Sequence, residues 1–252
     1  RPALRIFSKS VQDPETITLA DRRFDVSVNR LKRARRLTLR IDTNASRVKI
    51  SVPASVDAEL VHGFLERNRP WLERQIAARP DLEIVRDGSL IPFRGQNTQV
   101  IIDPAVNRIT FDDADGRPSL RLPRRGEPIL RLQRFLVDEA RRDLTTRAER
   151  LSGVLGRPFR SLHVRDTKSR WGSCSSRAGL NFSWRLIFGE DRVREYVVAH
   201  EVAHLRHMDH SPAFWTQCEA LCPPDLDIDW AKRQLRENGK RWHALVFDGS
   251  VA

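Results

Sequence analysis

His200 and His204 stand four residues apart in the segment His-Glu-Val-Ala-His, with Glu201 directly after the first of them. Side chains at i and i+4 lie one turn apart on the same side of an α-helix, so both imidazoles can take corners of one tetrahedral zinc site. Glu201 then reaches toward water on the metal rather than toward the metal. A catalytic zinc needs a third protein ligand and one open position. His210 lies six residues after His204, the spacing found when a turn carries the chain back to the ion. Glu219 is the alternative, should the following helix supply a carboxylate, whereas His207 lies too close to His204 along a continuing helix. The expected cofactor is therefore Zn2+ held by His200, His204 and His210, with Glu201 as general base. A metal of this kind brings the pKa of bound water from about 16 to about 7, and the base returns the proton to the leaving group. A closed structural zinc would leave Glu201 without a purpose. The chemistry expected is that of a zinc-dependent hydrolase.

These residues need elements to hold them. Residues 191–206 read as an apolar helix with Asp191 as its N-cap. Ser211-Pro212 opens the next helix, with Ser as cap and Pro at the first helical position, and the cap decides where His210 points. Metzincins carry Gly where this chain has His207, so the turn here runs differently, through Met208-Asp209. Asp209 is read either as an orienting partner of a ligand His or as a solvated turn residue. LNFSWRLI before the motif helix reads as a strand ending near Phe188, and as the edge of a sheet open to an extended peptide. TKSRWGSCSSRAG reads as a polar loop. In it Arg170 is a candidate to stabilise an oxyanion or bind a phosphate, Ser173 a weaker one, and Cys174 a buried structural thiol. Trp171, Trp184, Phe214 and Trp215 are assigned to the core. Asp227–Asn238 reads as a last helix with Gly239 at its C-cap.

Upstream, RFDVSVNR, RRLTLRI and RVKISVP alternate with period two, the latter two as a hairpin. Residues 56–79 switch to helical period with an interruption near Pro70, two or three short strands follow in 89–123, and 127–151 is a long amphipathic helix. No internal repeat is visible. The fold class expected is α+β: a β-rich N-terminal region with one long helix over 1–125, then a metal-binding catalytic region over 126–252 with a small sheet and the HExxH helix.

Composition narrows the remaining possibilities. Arginine supplies 39 of 45 basic residues, and the net charge of +12 makes nucleic acid a possible partner beside a peptide or protein substrate. Three cysteines, Cys174, Cys218 and Cys222, do not make a disulfide framework, and Cys218 and Cys222 read as small buried residues. No stretch is apolar enough to span a membrane, and RPALRIFSKS lacks the apolar core of a signal peptide, so the expected compartment is the cytoplasm.

RWGSCSSRAGLNFSWRLIF over 170–188, joined to YVVAHEVAHLRHMDHSPAFW, resembles the YgjP-like metal-dependent hydrolases, relatives of the Wss-type and SprT-like metallopeptidases. RLKRARRLTLRID, VKISVP, IPFRG and WAKRQLRENG extend the resemblance over nearly the whole chain. It implies a zincin-like core with His210 as third ligand and a metallopeptidase activity. The relatives' action on DNA-crosslinked proteins suits the basic charge, although no separate DNA-binding module is visible. The alternatives are a zinc-dependent hydrolase of phosphoanhydride or other non-peptide bonds, with Arg170, Lys168 or Arg185 on the phosphates, and a DNA-associated protease-like protein.

Overall fold

The computed structural model describes residues 12–42, 46–77, 82–114 and 116–248. The chain divides into two compact units, Arg1–Pro80 and Asp81–Ala252. The fold class is α+β, as expected.

In the first unit, alternation builds β1 (Thr16–Leu19), β2 (Arg22–Leu31), β3 (Thr38–Asp42) and β4 (Arg47–Pro53). The sheet order is β1-β2-β4-β3, two antiparallel hairpins joined by a parallel pairing of β2 with β4. Val48, Ile50 and Val52 bury one face of β4, while Arg47 and Lys49 face out. Helices α1 (Ala58–Arg67) and α2 (Arg69–Ala77) cover the buried face through Val61, Leu65 and Leu72. The helical stretch thus breaks at Asn68. Pro70 falls in the first turn of α2, where its missing N–H is no loss.

The second unit contains β5 (Glu83–Ile84), β6 (Leu90–Phe93), β7 (Gln96–Ile102), β8 (Thr110–Asp112), β9 (Ser119–Leu122), α3 (Pro128–Leu155), β10 (Ser161–Arg165), β11 (Gly172–Cys174), β12 (Gly179–Ser183), a 3-10 turn (Trp184–Phe188), α4 (Asp191–Ala203), α5 (Pro212–Leu221), α6 (Ile228–Ala244) and β13 (Leu245–Val246). Its first sheet runs β6-β7-β9-β8 and repeats the topology of the first unit. The register repeats as well: Ile17 opposes Phe24 as Ile91 opposes Thr98, and Asp25 pairs with Arg47 as Gln99 pairs with Ser119. Both first hairpins turn on two residues of positive φ, Ala20-Asp21 and Arg94-Gly95, the turn whose twist suits a two-residue hairpin. The repeat lives in pairing and burial, which different residues satisfy, and it was therefore invisible as residue identity.

The expected division near residue 125 falls within this unit. Ile91, Phe93, Val100, Leu120 and Leu122 share one core with Leu132, Leu136, Ala140 and Leu144 of α3. Helix α3 is the mast of the unit: its buried row recurs every three or four residues from Ile129 to Leu155. Fully burying a Leu is worth about 1.5–3 kcal/mol, so this row is a large part of what seats α4 against it.

Four sequence expectations for these elements need correction, the first being that the segment read as the polar loop TKSRWGSCSSRAG contains strand β11. LNFSWRLI is a strand only to Ser183. Trp184 to Phe188 are all buried, which a one-sided strand cannot arrange and a 3-10 turn can. In the sheet β10-β12-β11, β12 is central and β11 is the edge next to β12. Gly239 is not a C-cap, because α6 continues to Ala244; its missing side chain admits Trp171, whose Cζ2 would lie 2.6 Å from a Cβ there.

Candidate metal centre

Helix α4 carries His200 and Glu201 in its last turn and ends with His204 as its C-cap. Its first helical residue is Asp191, whose carboxylate is drawn to Arg147 and Arg194; Glu190 occupies the N-cap without a side-chain cap bond. After His204 the chain tightens, with Leu205 N–H bonded to Val202 O and His207 N–H to Ala203 O. It then turns through Met208-Asp209 into α5. Ser211 is the N-cap with extended backbone (φ −65°, ψ 167°) but makes no side-chain cap bond; its N–H instead reaches Asp209 Oδ1 at 3.5 Å. Asp209 therefore shapes the turn, and among the described residues no bond from it to His200, His204 or His210 is present.

The turn returns His210 to α4. One ring nitrogen each of His200, His204 and His210 lie within 4.8 Å of one another, the only such group of three or more metal-binding side chains among the described residues. His200 Nε2 faces His210 Nε2 at 3.2 Å. A tetrahedral zinc with bonds of about 2.0–2.1 Å places ligand nitrogens about 3.4 Å apart, so this pair fits such an ion. His204 Nδ1 lies 2.9 Å from the carbonyl of His207; as donor there, it leaves Nε2 free for the metal. His207 thus contributes a backbone oxygen to the centre and not its ring. Glu219 is exposed on α5 and stands outside the group.

Phe214, 0% exposed, forms the floor: its ring centroid lies 4.9, 4.5 and 4.8 Å from those of His200, His204 and His210. Trp215 stands 5.8 Å from both His200 and His210. Burial, and the charges of the neighbouring histidines, push His200 down to about 4 and lower His204 as well. Neutral imidazoles are the form that binds a metal. His200 Nδ1 is buried without a hydrogen-bond partner among the described residues.

Glu201 is 6% exposed, and burial raises its carboxyl to about 7, against the lowering effects of Arg170 and a hydrogen bond from the Cys174 N–H. The source of that N–H follows from the sheet. Ser183 N–H bonds Trp171 O and Ser175 N–H bonds Gly179 O, both at 2.9 Å. By alternation, Gly172 and Cys174 turn their backbone groups away from β12. Gly172 also passes so close that a Cβ there would stand 2.5 Å from Glu201 Cγ and 2.6 Å from Oε1. The sequence reading left Gly172 and Phe214 without functional roles. The glycine between Trp171 and Ser173 was the available signal for the first; nothing in residue type distinguished the second from core.

Arg170 is exposed and within electrostatic reach of Glu201. Arg185 is turned elsewhere: its guanidinium holds Asp166 through two bonds and the carbonyls of Trp242 and Leu245. Cys174 is half-buried, its thiol pushed up to about 11 by burial. Cys218 and Cys222 hydrogen-bond to each other and do not join the metal-binding group.

In this α+β fold three histidines converge beside a buried carboxylate, a group whose ring nitrogens could hold a metal ion. Compared with known families, residues 35–238 match the YgjP-like, metallopeptidase domain. The chain belongs to the YgjP-like family and carries its metallopeptidase domain, which implies a divalent metal. No curated protein and no solved structure matches the chain.

Proposed function

We propose that the protein is a zinc-dependent metallopeptidase in which His200, His204 and His210 hold the metal and Glu201 is the general base. The observation that carries this reading is the convergence of three imidazole nitrogens within 4.8 Å beside a buried carboxyl raised to about 7. Three imidazoles that leave a fourth position for water or substrate suit zinc. A bound ion of this kind supplies Lewis acidity, polarising a carbonyl and acidifying water. Glu201, poised near neutral pH, accepts the proton of the attacking water and delivers it to the leaving amine. The Cys174 N–H holds one face of that carboxylate. Arg170 balances negative charge developing on the substrate oxygen. An extended peptide adds to the outward-facing backbone of β11, which brings its carbonyls past Glu201. All of these residues lie in 126–252, the region expected to be catalytic. No helix among the described residues is long and apolar enough to cross a membrane, and three thiols outside any disulfide suit the reducing cytoplasm.

The test is elemental analysis of wild type and His210→Ala, paired with casein hydrolysis by wild type and Glu201→Gln. One zinc per wild-type chain, marked loss in His210→Ala, and retained zinc with an activity loss of about 10²–10⁴-fold in Glu201→Gln are expected. Unchanged zinc in His210→Ala overturns the ligand set. Glu201-dependent hydrolysis of nucleoside triphosphates without casein hydrolysis replaces the peptide bond as the target.

A further inference from the structure

Residues 26–41 contain six cations and no acid. Arg30 is taken by Asp13 in a 2.7 Å ion pair. Lys32, Arg33, Arg35 and Arg36 are exposed in the connection from β2 to β3, and Arg40 is exposed on β3. Arg40 stands directly opposite Lys49 of β4, which is exposed on the same face. Among the residues whose side chains are described, which leave out Asp42, none of these six (Lys32, Arg33, Arg35, Arg36, Arg40 and Lys49) has an acidic partner within ion-pair distance.

Like charges directly opposite each other destabilise a ladder. The core gains nothing from them, because Val48 and Ile50 bury the other face of β4. A polyanion laid on this face would offset the repulsion.

We propose that this face, with the β2–β3 connection, binds the phosphate backbone of duplex nucleic acid independently of the metal centre. Four of the six cations are Arg, whose planar fork bonds phosphate in bidentate fashion. No aromatic residue lies among them to stack on a base, so the contact is with the backbone and not with sequence. An anionic bilayer would attract the same charges, but lasting attachment needs an apolar anchor as well. Leu31, 49% exposed, is the one large exposed apolar side chain in this stretch.

The experiment is fluorescence anisotropy of a labelled duplex of about 20 base pairs with the full chain, over about 50–200 mM salt. The quadruple variant K32A/R33A/R35A/R36A is expected to bind roughly tenfold or more weakly, with a log–log salt slope lower by about 3–4. The control R134A/R141A/R157A/R160A removes equal charge from the second unit and is expected to stay within about twofold of wild type. Should the loop variant fail to fold, as read by its melting temperature, R40Q/K49Q lowers the slope by about 2 on the strand face alone. Chelation is expected to leave binding unchanged, which separates this proposal from the peptidase reading. Equal weakening by the control set, no binding by wild type at the lowest salt, or binding to phosphatidylserine vesicles without binding to the duplex overturns the proposal.

Discussion

Gly172 is the residue on which the geometry of Glu201 turns. A Cβ at 2.5–2.8 Å from three atoms of the glutamate side chain cannot coexist with its present position. Gly172→Ala is expected to displace the carboxylate and cost roughly 10²-fold in kcat, the scale of a 1 Å misplacement, while zinc content stays at the wild-type level. Kinetics beside elemental analysis check this; loss of zinc would mean the glycine supports the ligands instead. Glu201 also sets a pH dependence in the metal-free protein. Burial raises its carboxyl from the ordinary 4.5 to about 7, so between those values the folded state keeps a proton that the unfolded state has lost. Its contribution is complete below about 4.5 and lost as pH rises through about 7, about 3 kcal/mol in all. His200, lowered to about 4, acts in the opposite direction, so the comparison must be with Glu201→Gln. In chelator, the stability of the variant relative to wild type should grow between pH 5 and pH 7.5 in urea titrations; a constant difference would contradict the buried carboxyl.

Helices α3 and α4 are joined by charge as well as by apolar packing. Arg147 on α3 bonds Asp143 of its own helix and both Asp191 and Glu195 of α4, and Arg150 also holds Glu195. The Glu195 side chain is 4% exposed, and each of its two oxygens accepts from one of these arginines. Removing one partner of a buried pair costs more than the pair itself contributes. Arg147→Met is expected to destabilise by about 3 kcal/mol or more, and R147M/E195M by less, as measured by urea unfolding. A double variant no better than the single would assign the cost to lost packing of the Arg stem. Apolar periodicity announced both helices, but alternation and helix caps could not announce the 3-10 turn. Five consecutive buried residues follow from what surrounds Trp184–Phe188, including the Arg185 guanidinium drawn in by Asp166.

The two units have separate cores: Ile17, Phe24, Ile50 and Leu65 in one, and Leu136, Phe182, Val198 and Phe214 in the other. Ligand binding stabilises only the unit whose native state holds the site. Chelation should therefore speed amide exchange in α4 and α5 while leaving β1–β4 at the wild-type rate. Equal acceleration in both would show that the cores unfold as one. The repeated four-strand topology belongs to this scale too. Pairing order and register are properties of backbone and burial, which Thr98 satisfies where Phe24 does in the other sheet.

The sequence by itself determined the α+β class and the family, and it carries the spacing on which the proposed ligands and base rest. Each follows from local periodicity or from residue order, and helix geometry alone puts His200 and His204 on one side. The tertiary structure decided what depends on approach between distant segments. It brought the edge strand β11 over Glu201, set Phe214 under all three rings, gave His207 a carbonyl's role, and joined residues 90–122 to the core of α3. Such contacts are set by packing distances of a few ångströms between elements far apart in the chain, and residue spacing does not encode them.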